Sequence, residues 1–222
     1  MKKKNIILTV IIALVAIVLI VAVAKWNSLK NDEKEHTELA NKYIAACNLK
    51  DDYKYREALE IFEDLDGFEK SDRYVKEIKE IIDTPVAQVD LDAYYVTLNL
   101  EGEIISIDMT EKNDIPVLEG LDITTAEVGQ IIDFGNKDTK EKILDCIRAM
   151  KETGILDDVT VMNFSDINGV TFNYQSRFDV FLGTPKDLLK KISLFKEMVE
   201  QQEPTARGTV DLSKTGKAIY IP

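Results

Sequence analysis

The chain has 222 residues and a formal charge of −12, with forty acidic side chains against twenty-eight basic ones. Lys2, Lys3 and Lys4 precede the first apolar run, and removing these three from −12 leaves −15 on everything that follows. So acidic a body excludes nucleic acid and anionic membrane surfaces as partners held by counterion release.

From Ile6 to Ala24, Thr9 is the only polar residue. Nineteen residues at 1.5 Å each reach about 28 Å, against a hydrocarbon core of roughly 30 Å. The spacing predicts a single membrane anchor, with the leading lysines holding the N-terminus in the cytoplasm and the bulk of the chain outside, at the plasma membrane. Ala22-Val23-Ala24 has the form of a signal-peptidase site. The apolar run exceeds the usual signal-peptide core of about 7–15 residues, which favours an uncleaved anchor.

Lys25 to Glu35 reads as a polar juxtamembrane stalk, and from Thr37 the period becomes helical, with Leu39, Tyr43, Ala46 and Cys47 on one face. After Asn48–Asp52, a second helix aligns Tyr55, Ala58, Leu59 and Phe62 at i, i+3, i+4 and i+7. Gly67 stops it, and a third helix opens at Ser71-Asp72 and reaches Ile81 or Ile82. The stretch Asp52–Tyr74 resembles one tetratricopeptide-like unit. About one and a half units are present, fewer than the three a stable solenoid needs, so a helical spacer is expected rather than a peptide groove.

From Thr84 the period is two. Tyr94, Val96, Leu98 and Leu100 alternate with polar neighbours, Glu101-Gly102 turns the chain, and Ile105, Ile107 and Met109 continue on a second strand. Asp138-Thr139-Lys140-Glu141 reads as a capped helix start, with Ile143, Leu144, Ile147 and Met150 inward and Gly154 as its stop. Strands follow at Val159–Phe164, Val170–Tyr174 and Phe178–Leu182. Thr184 and Pro185 read as cap and first residue of a helix burying Leu188, Ile192, Phe195 and Val199. The chain closes in a hairpin, Gly208 to Pro222, around Ser213-Lys214-Thr215-Gly216. Its last strand leaves one sheet edge uncovered, which proteins either hide or use. The fold class is α+β: an N-terminal membrane helix (1–25), a stalk (26–36), a short all-α segment (37–82) and a β-rich domain with two helices (83–222).

Chemistry is scarce. The one histidine, His36, lies in the stalk, so no zinc or copper cluster is expected. There is no G-x-S-x-G motif and no phosphate-binding glycine loop. Cys47 and Cys146, ninety-nine positions apart in apolar helical patterns, read as buried single thiols rather than a disulfide, and no histidine activates Cys146. Acidic neighbours such as Asp157-Asp158 do not by themselves make a glycosidase pair. No enzyme, cofactor or small-molecule substrate is expected. A surface receptor binding a peptide or polymer through the helices, and a wall hydrolase using two carboxylates, stand as the competing readings.

Four stretches in order carry a resemblance: "TPVAQVDLDAYYVTLNLEGEIIS", "IPVLEG", "FDVFLGTPKDLLKKISLF" and "RGTVDLSKTGKAIYIP". Together they resemble the extracytoplasmic β domain of the bacterial division proteins FtsQ/DivIB, above all in Val180–Gly183 and Gly208–Leu212. The helical segment departs from the family, whose members carry a β-α-α-β-β polypeptide-transport-associated (POTRA) domain there. The resemblance implies a scaffold at the division septum. Its terminal hairpin would receive a strand from a small FtsB/DivIC-like partner that itself pairs with an FtsL-like protein. Carried over by position, the partner-binding residues are Ser213, Lys214, Thr215, Gly216, Ala218 and Tyr220, with Tyr220 either an interface anchor or a ring packed on the core.

Overall fold

The computed structural model describes residues 2–123, 125–214 and 216–222, with side chains from residue 19 onward. The chain forms two compact units that divide between Lys76 and Glu77. The first is helical. Helix α1 runs unbroken over Lys2–Asp51, so the expected stalk is part of a helix. Its charged stretch, polar on every side, has no period to read, but lysine, glutamate and leucine are good helix formers. Among the described residues no helix is long and apolar enough to cross a membrane. Side chains 6–18 of the anchor expected at Ile6–Ala24 lie outside those described, and the structure does not show that anchor.

The chain reverses after α1, where the Lys54 N–H donates to the Leu49 carbonyl at 2.8 Å. Helix α2 (Tyr55–Asp64) buries Tyr55, Ala58 and Phe62, three of the four residues its spacing aligns. Tyr43 of α1 meets Phe62 edge-on with centroids 5.8 Å apart, and Phe62 lies 5.0 Å from Tyr74 at the start of α3 (Ser71–Ile82). The apolar faces of this hairpin are therefore spent on one another.

The second unit is one nine-stranded mixed sheet: β1 (Ala87–Asp90), β2 (Tyr95–Leu98), β3 (Ile104–Asp108), β4 (Val117–Glu119), β5 (Val159–Asn163), β6 (Val170–Tyr174), β7 (Phe178–Gly183), β8 (Gly208–Asp211) and β9 (Ile219–Ile221). Their order is β3-β2-β1-β4-β5-β6-β7-β8-β9. The contacts β1·β4, β4·β5 and β7·β8 are parallel and the others antiparallel. With helices α4 (Lys137–Thr153) and α5 (Leu188–Glu200), this is the α+β class read from the sequence.

The two helices cover one face. From α4, Ile143, Leu144, Ile147 and Met150 are all buried as their spacing predicts, and Gly154 ends the helix in a left-handed conformation. From α5, Phe195 is fully buried and edge-on to Phe172 (5.3 Å) and Tyr174 (5.2 Å). Truncating such a ring to alanine costs about 3–5 kcal/mol.

Several local expectations need correction. The cap of α4 is Asn136, whose side chain accepts the Thr139 N–H, so the helix starts ahead of Asp138. Helix α5 begins at Leu188, not at Thr184-Pro185, because β7 continues through Gly183 and the carbonyls of Leu182 and Thr184 accept bonds from the buried Lys191 Nζ, both at 2.9 Å. Strand β3 carries a bulge, pairing Leu98 with Ile104 but Thr97 with Ser106. The extra residue, Ile105, leaves both Ile104 and Ile107 on the core face, opposite Leu98 and Val96, with Ile107 at the sheet's edge. Ile104 is buried, whereas Ile107 is 38% and Met109 83% exposed.

Candidate partner-binding edge

A sheet of nine strands has two edges, and they are treated differently. At the β3 edge, the chain loops back: Ile104 donates to the Gln130 carbonyl (2.9 Å), Gly129 donates to Ile104 (2.8 Å) and Ile132 donates to Gly102 (2.8 Å). Further along, Asp108 is paired with Lys112, which also donates to Ser106 Oγ and Thr97 Oγ1. Backbone cover, a bulge and a paired charge together blunt that edge.

Among the described residues the β9 edge shows no such backbone cover, bulge or paired charge. Gly208 and Leu212 of the β8 segment send their N–H groups to Arg177 and Phe181, on the β7 side. Backbone groups alternate along a strand, so Thr209 and Asp211 face β9, opposite Ile221 and Ile219. Ile219 and Ile221 therefore spend their N–H and C=O on β8. Tyr220 lies between them and directs its N–H and C=O to the outer edge.

The side chains obey the other alternation. Tyr220 stands opposite Val210, which is fully buried, so its ring lies on the core side, half-buried and 6.0 Å from Phe178. Its hydroxyl donates to the Arg207 carbonyl at 2.9 Å. Ile219 and Ile221, 43% and 57% exposed, occupy the opposite face. Tyr220 thus offers an outward backbone while its ring packs inward.

Gly208 makes this arrangement possible. A Cβ there would overlap the Ile221 carbonyl oxygen and stand 2.8 Å from Tyr220 Cε2. Gly183, at φ +71°, takes a conformation that favours glycine where β7 ends.

Of the carried-over residues, Ser213 and Lys214 lie in the exposed turn between β8 and β9. The Ser213 N–H donates to Asp211 Oδ1 at 2.7 Å, and bonds from Ser213 hold the Asp211 carboxyl below its usual range. The Lys214 carbonyl accepts the Lys217 N–H. Gly216 is exposed at φ +82°. Thr215 lies outside the described residues. Ala218 packs half-buried against the core beside Tyr220. The turn and the strand are therefore distinct surfaces, and only the strand presents sheet backbone.

Ile219 and Ile221 were not among the carried-over residues. Their positions on either side of Tyr220 were the available signal, since neighbours in a strand take opposite faces. With Val161 and Phe181 they give apolar patches to the face that α4 and α5 leave uncovered. Toward β1 and β2 that face is closed by the segment around Lys112, whose backbone N–H and C=O both bond the buried Gln88 side chain. Toward β5–β8 it stays open as a shallow hollow of about 380 Å³ that includes Glu119, Thr171, Asp179 and Phe181.

Cys146 is fully buried and its thiol is pushed up to about 12, first by burial, while Cys47 is half-buried; both are free. Among the described residues no group of three His, Cys, Asp or Glu side chains is placed to hold a metal ion. No protein-family model matches this chain, and no curated protein does either.

Proposed function

We propose that this chain is a non-enzymatic scaffold, anchored by Ile6–Ala24 with its body outside the cytoplasm, that binds a partner's β-strand along β9. The outward backbone of Tyr220 on an unblunted edge carries this reading. Strand addition draws affinity from main-chain hydrogen bonds and specificity from alternate side chains. The exposed Ile219 and Ile221 supply apolar contacts beside the added strand.

The sequence resemblance to FtsQ/DivIB names the partner class: a small bitopic protein of the FtsB/DivIC type, joined to an FtsL-like protein at the division septum. The first unit is helical over its described residues, so the scaffold would work with a helical hairpin where that family has a POTRA domain. A fluorescent fusion should gather at midcell, and the region outside the membrane should capture the FtsB/DivIC-type protein of the same cell. Uniform membrane fluorescence together with failure to capture that protein would remove the reading. A reporter fused after Pro222 should be active outside the cytoplasm, and no mature form should begin at Lys25.

A further inference from the structure

The large exposed apolar side chains described on α1 form one group, Leu19, Ile20, Val21, Val23, Trp26 and Leu29, and none follows until Ile44. Trp26 is 61% exposed, and Leu29, three residues on and so on the same helix face, is 56% exposed. Lys30 places its Nζ 5.7 Å from the Trp26 ring centroid, and Lys25 directly precedes the ring. Acids predominate from Asp32 onward. A tryptophan and a leucine bracketed by two lysines thus stand where the helix changes from apolar to acidic.

Water is a poor environment for an indole and a leucine displayed together on a helix. The boundary of a bilayer suits both. The indole buries its ring among acyl chains and keeps its N–H at the headgroups, while lysines lay their stems along apolar surface and reach for phosphate. The twenty helical steps from Ile6 to Trp26 span about 30 Å, one hydrocarbon thickness. We propose that Trp26, Leu29, Lys25 and Lys30 form a collar that binds the phospholipid headgroup boundary of the outer leaflet and fixes the depth of α1. The collar rests on the reading of Ile6–Ala24 as a membrane anchor.

Trp26 is the only tryptophan in the chain, so intrinsic fluorescence reports on this position alone. The full chain is reconstituted into phosphatidylcholine–phosphatidylglycerol vesicles and floated through a density gradient. Nitroxide quenchers are then placed either at the headgroup or near the acyl-chain end. The expected result is co-flotation, emission blue-shifted from that of a solvated indole, and stronger quenching by the headgroup nitroxide. In a Trp26→Phe background, a tryptophan introduced at exposed Ile44 should show neither shift nor quenching. Failure to float overturns anchor and collar together. A floating chain whose Trp26 stays unshifted and unquenched overturns the collar alone. So does one quenched most by the deep nitroxide, and so does equal quenching at position 44, which would lay the helix along the surface.

Discussion

Replacing Tyr220 by proline and by alanine separates the two things this residue does. Tyr220→Ala removes the ring, and with it the edge-on contact to Phe178 and the hydroxyl bond to the Arg207 carbonyl. Both losses fall within the fold, so alanine should lower the melting temperature. An aromatic pair is worth about 0.5–1.5 kcal/mol beyond its buried area. Tyr220→Pro makes the same deletion and also removes the outward N–H. The difference between the variants isolates one main-chain hydrogen bond to a partner strand, a net of about 0.5–1.5 kcal/mol, or roughly 2- to 13-fold in Kd. Proline is tolerated on an outer strand whose N–H faces away from the sheet, so the two variants should melt within a few degrees of each other. Other proline positions are blunter. Ile219 spends its backbone on β8, and the Lys217 N–H already closes the turn on Lys214. Binding is read by titration calorimetry against the extracytoplasmic part of the FtsB/DivIC-type protein, with melting curves on the same samples. Equal affinities for two folded variants would refute strand addition at this edge.

Four further outcomes follow from the geometry. Gly208→Ala would drive a methyl into the Ile221 carbonyl and should destabilise the second unit by about 1–3 kcal/mol, the usual cost of overpacking, read as a fall in Tm. Lys191→Met keeps the buried stem but takes the ammonium donor from the Leu182 carbonyl, while the Thr184 carbonyl keeps the Lys186 N–H. At about 1–3 kcal/mol for one buried group that loses its donor, denaturant unfolding should show a loss of that size. Asp211 is depressed in the fold by bonds from Ser213. Its contribution is present above the unfolded carboxylate value near 3.9 and is lost as pH falls through the lower folded value, so the protection of the Ser213 amide relative to its intrinsic exchange rate should fall only below about pH 4, and Asp211→Asn should abolish that dependence. In the native protein a thiol reagent at pH 8 should modify half-buried Cys47 and spare Cys146 until the chain unfolds.

The sequence made some elements legible and hid others for physical reasons. Helix α4 could be read because a single inward face alternates with water. Strand β6 was placed at its observed bounds, Val170–Tyr174, because only one of its faces is packed. Strand β1 gave no such signal. Ala87, Gln88 and Val89 are all buried, since helices cover one face and Gln88 is satisfied by the Lys112 backbone on the other. Strand β4, three residues paired in parallel on both sides, is too short to show a period. Thr184-Pro185 has the chemistry of a helix start, but Lys191, seven residues later, claims the carbonyls at that corner. The cap-and-proline signal itself spans only two residues and does not register that contact. At the candidate site, the closing hairpin was visible in its turn residues. The direction of Tyr220 was not, because it depends on which β8 residues face β7.

The competing receptor reading needs the helical unit to keep an apolar surface for a ligand. That surface is largely occupied from within. Ala46 of α1 and Ala58 and Phe62 of α2 are fully buried, Tyr43 contacts both Phe62 and Phe68 edge-on, and Lys50 lies 5.1 Å over the Tyr74 ring. A peptide would have to displace these contacts before gaining any of its own. At β9 no described residue need be displaced. The outward backbone of Tyr220 in free protein has water as its alternative partner, and exchanging water for a strand yields a modest net gain for each bond. Specificity must then come from side chains next to the edge, where Ile219 and Ile221 are exposed and Asp211 stands among them on the same face. On the proposed reading, an edge this small would hold a partner strand by the two main-chain bonds of Tyr220, with two isoleucines and one carboxylate beside it to set the register.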